Sequence, residues 1–313
     1  MQSNAESPVH NVVSGTGAVV VQAGVVEGDV RVSDPSLAPV VPRQLPAAQE
    51  SFTGRVVELA VLERTLLGTA EPLSAETGKA VVISAITGAG GVGKTWLALA
   101  WANRHIARYP DGQLFVDLRG FTPAGEPVDP AEALRGFLVA LGVKPSLLPS
   151  DVVALAGLYR SLVAGRRMLV VLDNAATTAQ VVPLLPGGGS CAVLVTSRHR
   201  LTGLVVGHGA RSLTLDVFTD AEARALLDTS LGTERTANEE RAVSTLIRLC
   251  GGFPLALTVI IARARFQPDR SLADVVTELG RFGLDALAEL PPITRGGCYL
   301  DAVGAAGMVA GRA

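Results

Sequence analysis

The 313-residue chain is 48% hydrophobic but only 4% aromatic, so its interior must be built from Leu, Val and Ala, and its length suits about two domains. With a formal net charge of −2 and dispersed Lys and Arg it offers no basic stripe for nucleic acid. Cys191, Cys250 and Cys298 fit neither a zinc site nor a disulfide framework and read as reduced thiols of a cytoplasmic protein. The first residues lack the basic-then-apolar pattern of a signal peptide, and no apolar run approaches the roughly 20 residues of a membrane span.

Residues 11–32, NVVSGTGAVVVQAGVVEGDVRV, are rich in Val and Gly, carry no charge before Glu27 and contain no Pro. Such β-prone segments stack across chains, with Gln ladders and dry Val faces stabilising a cross-β assembly. Val21-Gln22-Ala23-Gly24 resembles the V-Q-x-G centre of RHIM-related bacterial amyloid signalling motifs; a β-hairpin or a Gly/Val tail is the alternative. Residues 1–33 thus read as a tail carrying this motif. Residues 34–50, with Pro35, Pro39, Pro42 and Pro46, read as an extended, poorly structured linker.

From residue 51 to 217 strands alternate with helices, which predicts parallel βαβ units and a helix-covered sheet. Leu59, Leu62 and Leu66 are spaced as a helix face. The run Val81–Ile86 leads into Gly88-Ala89-Gly90-Gly91-Val92-Gly93-Lys94-Thr95, the GxxxxGK[ST] phosphate loop, with a helix from Trp96 to Arg104 after it. Glycines let backbone N–H groups converge on one anion, and the helix dipole favours it. Lys94 supplies positive charge to the β- and γ-phosphates, and Thr95 offers a hydroxyl to Mg2+. Gln113–Arg119 reads as a second strand, and helices are expected over 130–141 and 151–164. Leu169–Leu172 is a continuous apolar run ending in Asp173, as in a strand buried on both faces. An Asp at the carboxyl end of such a strand lies where open α/β sheets bind ligands, here as the Mg2+-holding acid or, alternatively, as a strand-ending turn residue. A strand at Cys191–Thr196 brings Arg198 to the same edge, as a phosphate-reading guanidinium or a surface residue. Leu213–Leu215 closes the strand series, and Thr219 with Glu222 forms a capping box.

Residues 218–285 read as a small all-α module, with helices over about 238–250 and 271–279 and a Gly-Gly-Phe-Pro-Leu turn placing Pro254 in the first turn of another. Residues 286–313, Gly- and Ala-rich, read as an irregular tail.

In this order the blocks resemble the NB-ARC class of STAND signalling ATPases from actinobacteria, over Phe52 to Leu284. Phe52-Thr53-Gly54-Arg55 is similar to the family's first motif, bordering adenine. Gly88–Thr95, followed by Trp96, is similar to its Walker A loop, and Leu169–Asn174 to its Walker B strand. Phe115–Gly120 is similar to the block after the second strand, Thr196-Ser197-Arg198 to its sensor, and Gly252–Leu255 to its GLPL motif, whose Pro packs on adenine. The resemblance implies an α/β P-loop NTPase with a three-layer αβα parallel sheet, a small helical module and a short β-prone N-terminal motif. It implies a switch binding ATP, ADP and Mg2+, with Lys94 and Asp173 in catalysis and Thr95 and Asp173 on the metal. Nucleotide exchange would drive self-assembly, passed on by the N-terminal motif to a partner protein with a matching motif, in defence or regulated cell death. Asn174 stands where many relatives carry a second acid; an amide cannot accept water's proton, so at most slow hydrolysis is expected. The family's winged helix, M-H-D motif and repeats do not follow, so a truncated chain is expected. The alternatives are an ATPase module of a transcriptional regulator and a nucleotide-binding fragment without signalling; no direct nucleic-acid contact is expected.

Overall fold

The apolar runs at Val82–Thr87 (β1), Gly112–Asp117 (β2), Met168–Ala175 (β3), Ala192–Ser197 (β4) and Arg211–Thr214 (β5) pair in parallel, in the order β2-β3-β4-β1-β5. The computed structural model describes residues 40–48, 52–67, 81–121 and 125–282, and the described residues from Val41 onward belong to one compact unit. The Val21-Gln22-Ala23-Gly24 motif and the expected C-terminal tail lie outside the described residues.

Three central strands are almost wholly buried, as their unbroken apolar sequences require. Alternate residues of β3 serve opposite faces. Leu169 and Val171 join a cluster with Val56–Leu67 (α1) and Lys94–Arg104 (α2), where Leu62, Leu66, Leu97 and Trp101 are fully enclosed. Val170 and Leu172 face Pro130–Ala140 (α3), Val152–Val163 (α4) and Thr178–Val181 (α5), meeting Leu134, Phe137 and Tyr159. Two helices and three helices on opposite faces of one parallel sheet make the three-layer αβα arrangement. Asp129 and Asp151 cap α3 and α4, accepting from Ala131 N (2.6 Å) and Ala154 N (2.9 Å). Thr202–His208 (α6) connects β4 to β5.

Among the described residues only helices follow: Asp220–Leu231 (α7), Thr233–Asn238 (α8), Glu240–Leu249 (α9), Pro254–Phe266 (α10) and Leu272–Phe282 (α11). They bury a separate cluster, with Leu227, Val243, Leu246, Leu257, Ile260 and Leu272. The capping box is present in full: Thr219 Oγ1 accepts from Glu222 N, and Glu222 Oε2 accepts from Thr219 N. Cys191 and Cys250 are buried free thiols, and burial pushes the Cys250 pKa up to about 12.

The linker departs from its expected looseness. Pro42 O accepts from Gln113 N (2.8 Å), Gln44 N donates to Gln113 O (3.0 Å), and Arg43 Nη1 reaches Gln113 Oε1 (3.1 Å), so these residues extend the sheet beyond β2. A proline is admissible there because an edge position leaves its missing N–H unneeded.

The segment after β5 and the turn before α10 meet at a close backbone crossing. Phe218 N donates to Gly252 O (2.8 Å), and a Cβ on Gly252 would lie 2.4 Å from Phe218 O. Gly252 also has φ +71, a conformation that costs other residues. Gly252→Ala is therefore expected to destabilise the chain by about 2 kcal/mol, lowering Tm by about 4–8 °C in a thermal melt; an unchanged melt would mean the crossing is not strained.

Candidate functional site: a phosphate loop with a buried acid

β1 ends at Thr87, the loop begins at Gly88, and the helix α2 opens at Lys94, with Gly93 as its left-handed cap (φ 94). That conformation turns the loop sharply back toward the helix start, where unpaired N–H groups and the dipole favour an anion. Lys94 is buried, and its Nζ donates to Gly88 O (2.9 Å) and Ala89 O (2.7 Å), which holds its charge within the arc of the loop.

The acid sits where the sequence places it, at the carboxyl end of β3. Asp173 Oδ1 accepts from Thr95 Oγ1 (2.7 Å) on α2 and from Thr196 Oγ1 (2.5 Å) on β4. Thr196 Oγ1 also accepts from Asn174 N (2.9 Å). Asp173 is 4% exposed, and burial raises its pKa above the ordinary value, outweighing the two threonine hydrogen bonds; the carboxylate of Asp117, paired with Asp173 in register on β2, adds to the rise, and Lys94 opposes it. A cation would relieve this cost, and the donor set of one hydroxyl and one carboxylate is the hard-oxygen kind that Mg2+ takes alongside phosphate oxygens and water. Asn174 adopts φ +55, a region that Asn tolerates.

Arg198 is half-buried, and its guanidinium carbon lies 3.3 Å from the position a Cβ on Gly90 would take. The loop, the acid and the arginine are thus brought together. Pro254 opens α10, and the next residue ties that helix to the loop: Leu255 N donates to Gly91 O (3.3 Å). Trp96, in the first turn of α2, is 44% exposed.

Arg55, in the motif before α1, joins several elements. It is 4% exposed, and its Nη2 donates to Val92 O (3.2 Å) of the loop and to Asp216 O (2.5 Å) after β5. Its Nη1 pairs with Glu58 (3.0 Å), its backbone N donates to Glu222 Oε1 (3.2 Å), and its guanidinium lies 4.5 Å from the Phe218 ring centroid. The motif therefore fastens the phosphate loop to the start of the all-α module, with Gly54 against Glu222 and Phe218. Phe52 packs on the α1–α2 cluster beneath. Sequence reasoning named Thr196 only within the sensor-like motif and Glu222 only in the capping box, and assigned no role to Phe121 or Gln180. Only Thr196 and Glu222 carried a signal, as members of recognisable motifs; the other two act through contacts remote in sequence.

A parallel β2-β3-β4-β1-β5 sheet, a phosphate loop between β1 and α2, and an acid at the end of β3 define a P-loop NTPase fold with an appended helical region. The chain is 42% identical over 231 residues to the regulatory protein AfsR of Streptomyces coelicolor, covering 74% of this chain and 23% of that protein. It is also 42% identical over 222 residues to AfsR of Streptomyces griseus, covering 71% of this chain and 22% of that protein. It spans less than a quarter of the length of these relatives. Among solved structures, Cdc6p from Pyrobaculum aerophilum superposes with a TM-score of 0.50 at 15% identity, over 82% of this chain and 73% of that chain, a likeness of fold alone. No protein-family model matches the chain. Among the described residues no helix is long and apolar enough to cross a membrane.

The raised Asp173 pKa fixes the sign of a pH effect. An acid whose folded pKa lies above its unfolded value stabilises the fold fully below the unfolded value, near 3.8, and that contribution is lost as pH rises through the folded pKa. At neutral pH without metal or nucleotide, Asp173→Asn should therefore shift urea unfolding to higher concentration. The gain should shrink as pH falls toward 3.8, and equal midpoints across the range would show that the carboxylate is not under strain.

Proposed function

We propose that the chain is the nucleotide-binding switch module of a regulatory protein, taking ATP and ADP with Mg2+ between its phosphate loop and α10. The observation that carries this reading is the convergence of Lys94, Thr95, Asp173 and Arg198 on one loop to which α10 is also hydrogen-bonded. Gly88 to Thr95 would cradle the phosphates, with Lys94 on the β- and γ-phosphates. Thr95 and Asp173 would hold Mg2+, which supplies charge neutralisation at the transferred phosphoryl group. Arg198 would face the terminal phosphate, and Pro254 and Trp96 would offer apolar surface toward the base end. Asn174 supplies no base, so turnover would be slow, as suits a switch whose state is set by which nucleotide is bound.

In this reading exchange of ADP for ATP loosens the hold of α10 on the loop and permits self-assembly. The Val21–Gly24 motif would then be concentrated in the assembly, stacking with itself or with a matching partner protein. A second reading, an ATPase module within a transcriptional regulator, is favoured by the 42% identity to regulatory proteins. The two share the nucleotide chemistry and differ in output. A peptide of residues 8–34 that forms fibres would support the first; one that stays soluble while the full chain is active would leave only the second.

The direct test is to denature the purified chain and identify any released nucleotide by chromatography, beside Lys94→Ala. Bound adenine nucleotide in the wild type and at least about tenfold less in the variant is the expected outcome, since a charge-assisted contact of this kind contributes about 1.5–3 kcal/mol. A folded wild type that neither retains nor takes up adenine nucleotide would overturn the reading.

A further inference from the structure

Arg198 rests on an aromatic platform. Its guanidinium carbon stands 5.2 Å from the ring centroid of Phe121, and that ring meets His199 edge-on at 4.7 Å. The same guanidinium adjoins Gly90 of the phosphate loop. Phe121 comes from the connection between β2 and α3, far from Arg198 in sequence, so the contact depends on how that connection is held.

It is held to the backbone just past the buried acid. Leu118 N donates to Asp173 O (2.8 Å), and Gly120 N donates to Asn174 O (2.7 Å). The approach is so close that a Cβ on Gly120 would lie 2.4 Å from Ala176 N. Gln180, buried on α5, completes the fastening. Its Nε2 donates to Leu118 O (2.8 Å) and Val128 O (2.9 Å), and its Oε1 accepts from Ala176 N (3.0 Å). Both ends of the connection are thereby fixed to the segment that follows Asp173.

We propose that Phe121 is a positioning residue for nucleotide discrimination: its ring holds the Arg198 guanidinium against the phosphate loop, so that the charge meets the terminal phosphate of a triphosphate. The inference rests on the nucleotide reading above. A long arginine side chain gives up rotamer freedom when it engages a ligand. A ring face that attracts the guanidinium orders it beforehand, lowering the cost of binding. Only a ligand with a third phosphate draws on that ordering, so the platform favours ATP over ADP. Because the platform is tied to residues 174–176, the pose of Arg198 follows any shift of the Asp173 strand end.

The test is calorimetric titration of the full chain with Mg-ATP and with ADP, for Phe121→Leu, Phe121→Tyr, Arg198→Ala and the Phe121→Leu/Arg198→Ala double variant. Leucine keeps an apolar side chain but has no ring face; tyrosine keeps the face. Phe121→Leu is expected to weaken ATP about three- to tenfold and ADP less than about twofold, in line with a partly desolvated cation–ring contact. Phe121→Tyr should match the wild type, and Phe121→Leu should have no further effect once Arg198 is alanine. An unchanged ATP-to-ADP ratio in Phe121→Leu, an equal loss for both nucleotides, or additivity with Arg198→Ala would overturn the proposal. If the wild type binds both nucleotides and Phe121→Leu leaves their ratio unmoved, the platform role alone is removed. A wild type that binds neither removes the nucleotide reading and this inference together.

Discussion

The buried carboxylate of Asp173 is the constraint around which the site is arranged. Its Oδ1 accepts from hydroxyls on two other elements, Thr95 of α2 and Thr196 of β4, and so joins the phosphate-loop helix to two neighbouring strands. Burial beside Asp117 makes the charged form of this structural joint costly, a cost that a cation would relieve. Strands β1 and β3 are not neighbours; β4 lies between them. Thr196 on that intervening strand bonds to Asp173, and Arg198, two residues on, reaches the loop from the same strand end.

The second constraint is the hold between the loop and the all-α module. Arg55 bonds to Val92 O and Asp216 O, lies over the Phe218 ring and donates its own backbone N–H to Glu222. Phe218 in turn bonds to Gly252, two residues before the proline that opens α10, whose second residue bonds to Gly91. The phosphate loop is therefore contacted from below by Arg55 and from the module by α10. A ligand that moved the loop would have to disturb one or both contacts, and under the proposed function this would couple occupancy to the disposition of the module.

Much of this was legible in the sequence where one residue pattern has one physical solution. The runs at Val82–Ile86, Met168–Leu172 and Ala192–Val195 admit little but buried parallel strands, and the glycine-rich stretch ending in Lys94 and Thr95 forms the strand–loop–helix turn that its pattern requires. The capping box of α7 was equally readable because Thr219 and Glu222 are three residues apart and satisfy one another locally. What escaped was non-local or weakly patterned. The short helix α8, TERTAN, is polar and has one buried residue, Thr236, so it has no apolar period to detect. Arg43 and Gln44 join the sheet edge through Gln113, seventy residues away from Arg43. The Gln180 fastening and the Phe121 platform likewise depend on the fold bringing distant residues together.

The central claim is that one nucleotide engages the phosphate loop and the all-α module at once. Amide hydrogen exchange of the full chain, with and without Mg-ADP, tests it most directly. The account predicts slowed exchange both in residues 88–95 and in residues 216–218 and 252–257. Protection confined to the phosphate loop, or none at all, would contradict it.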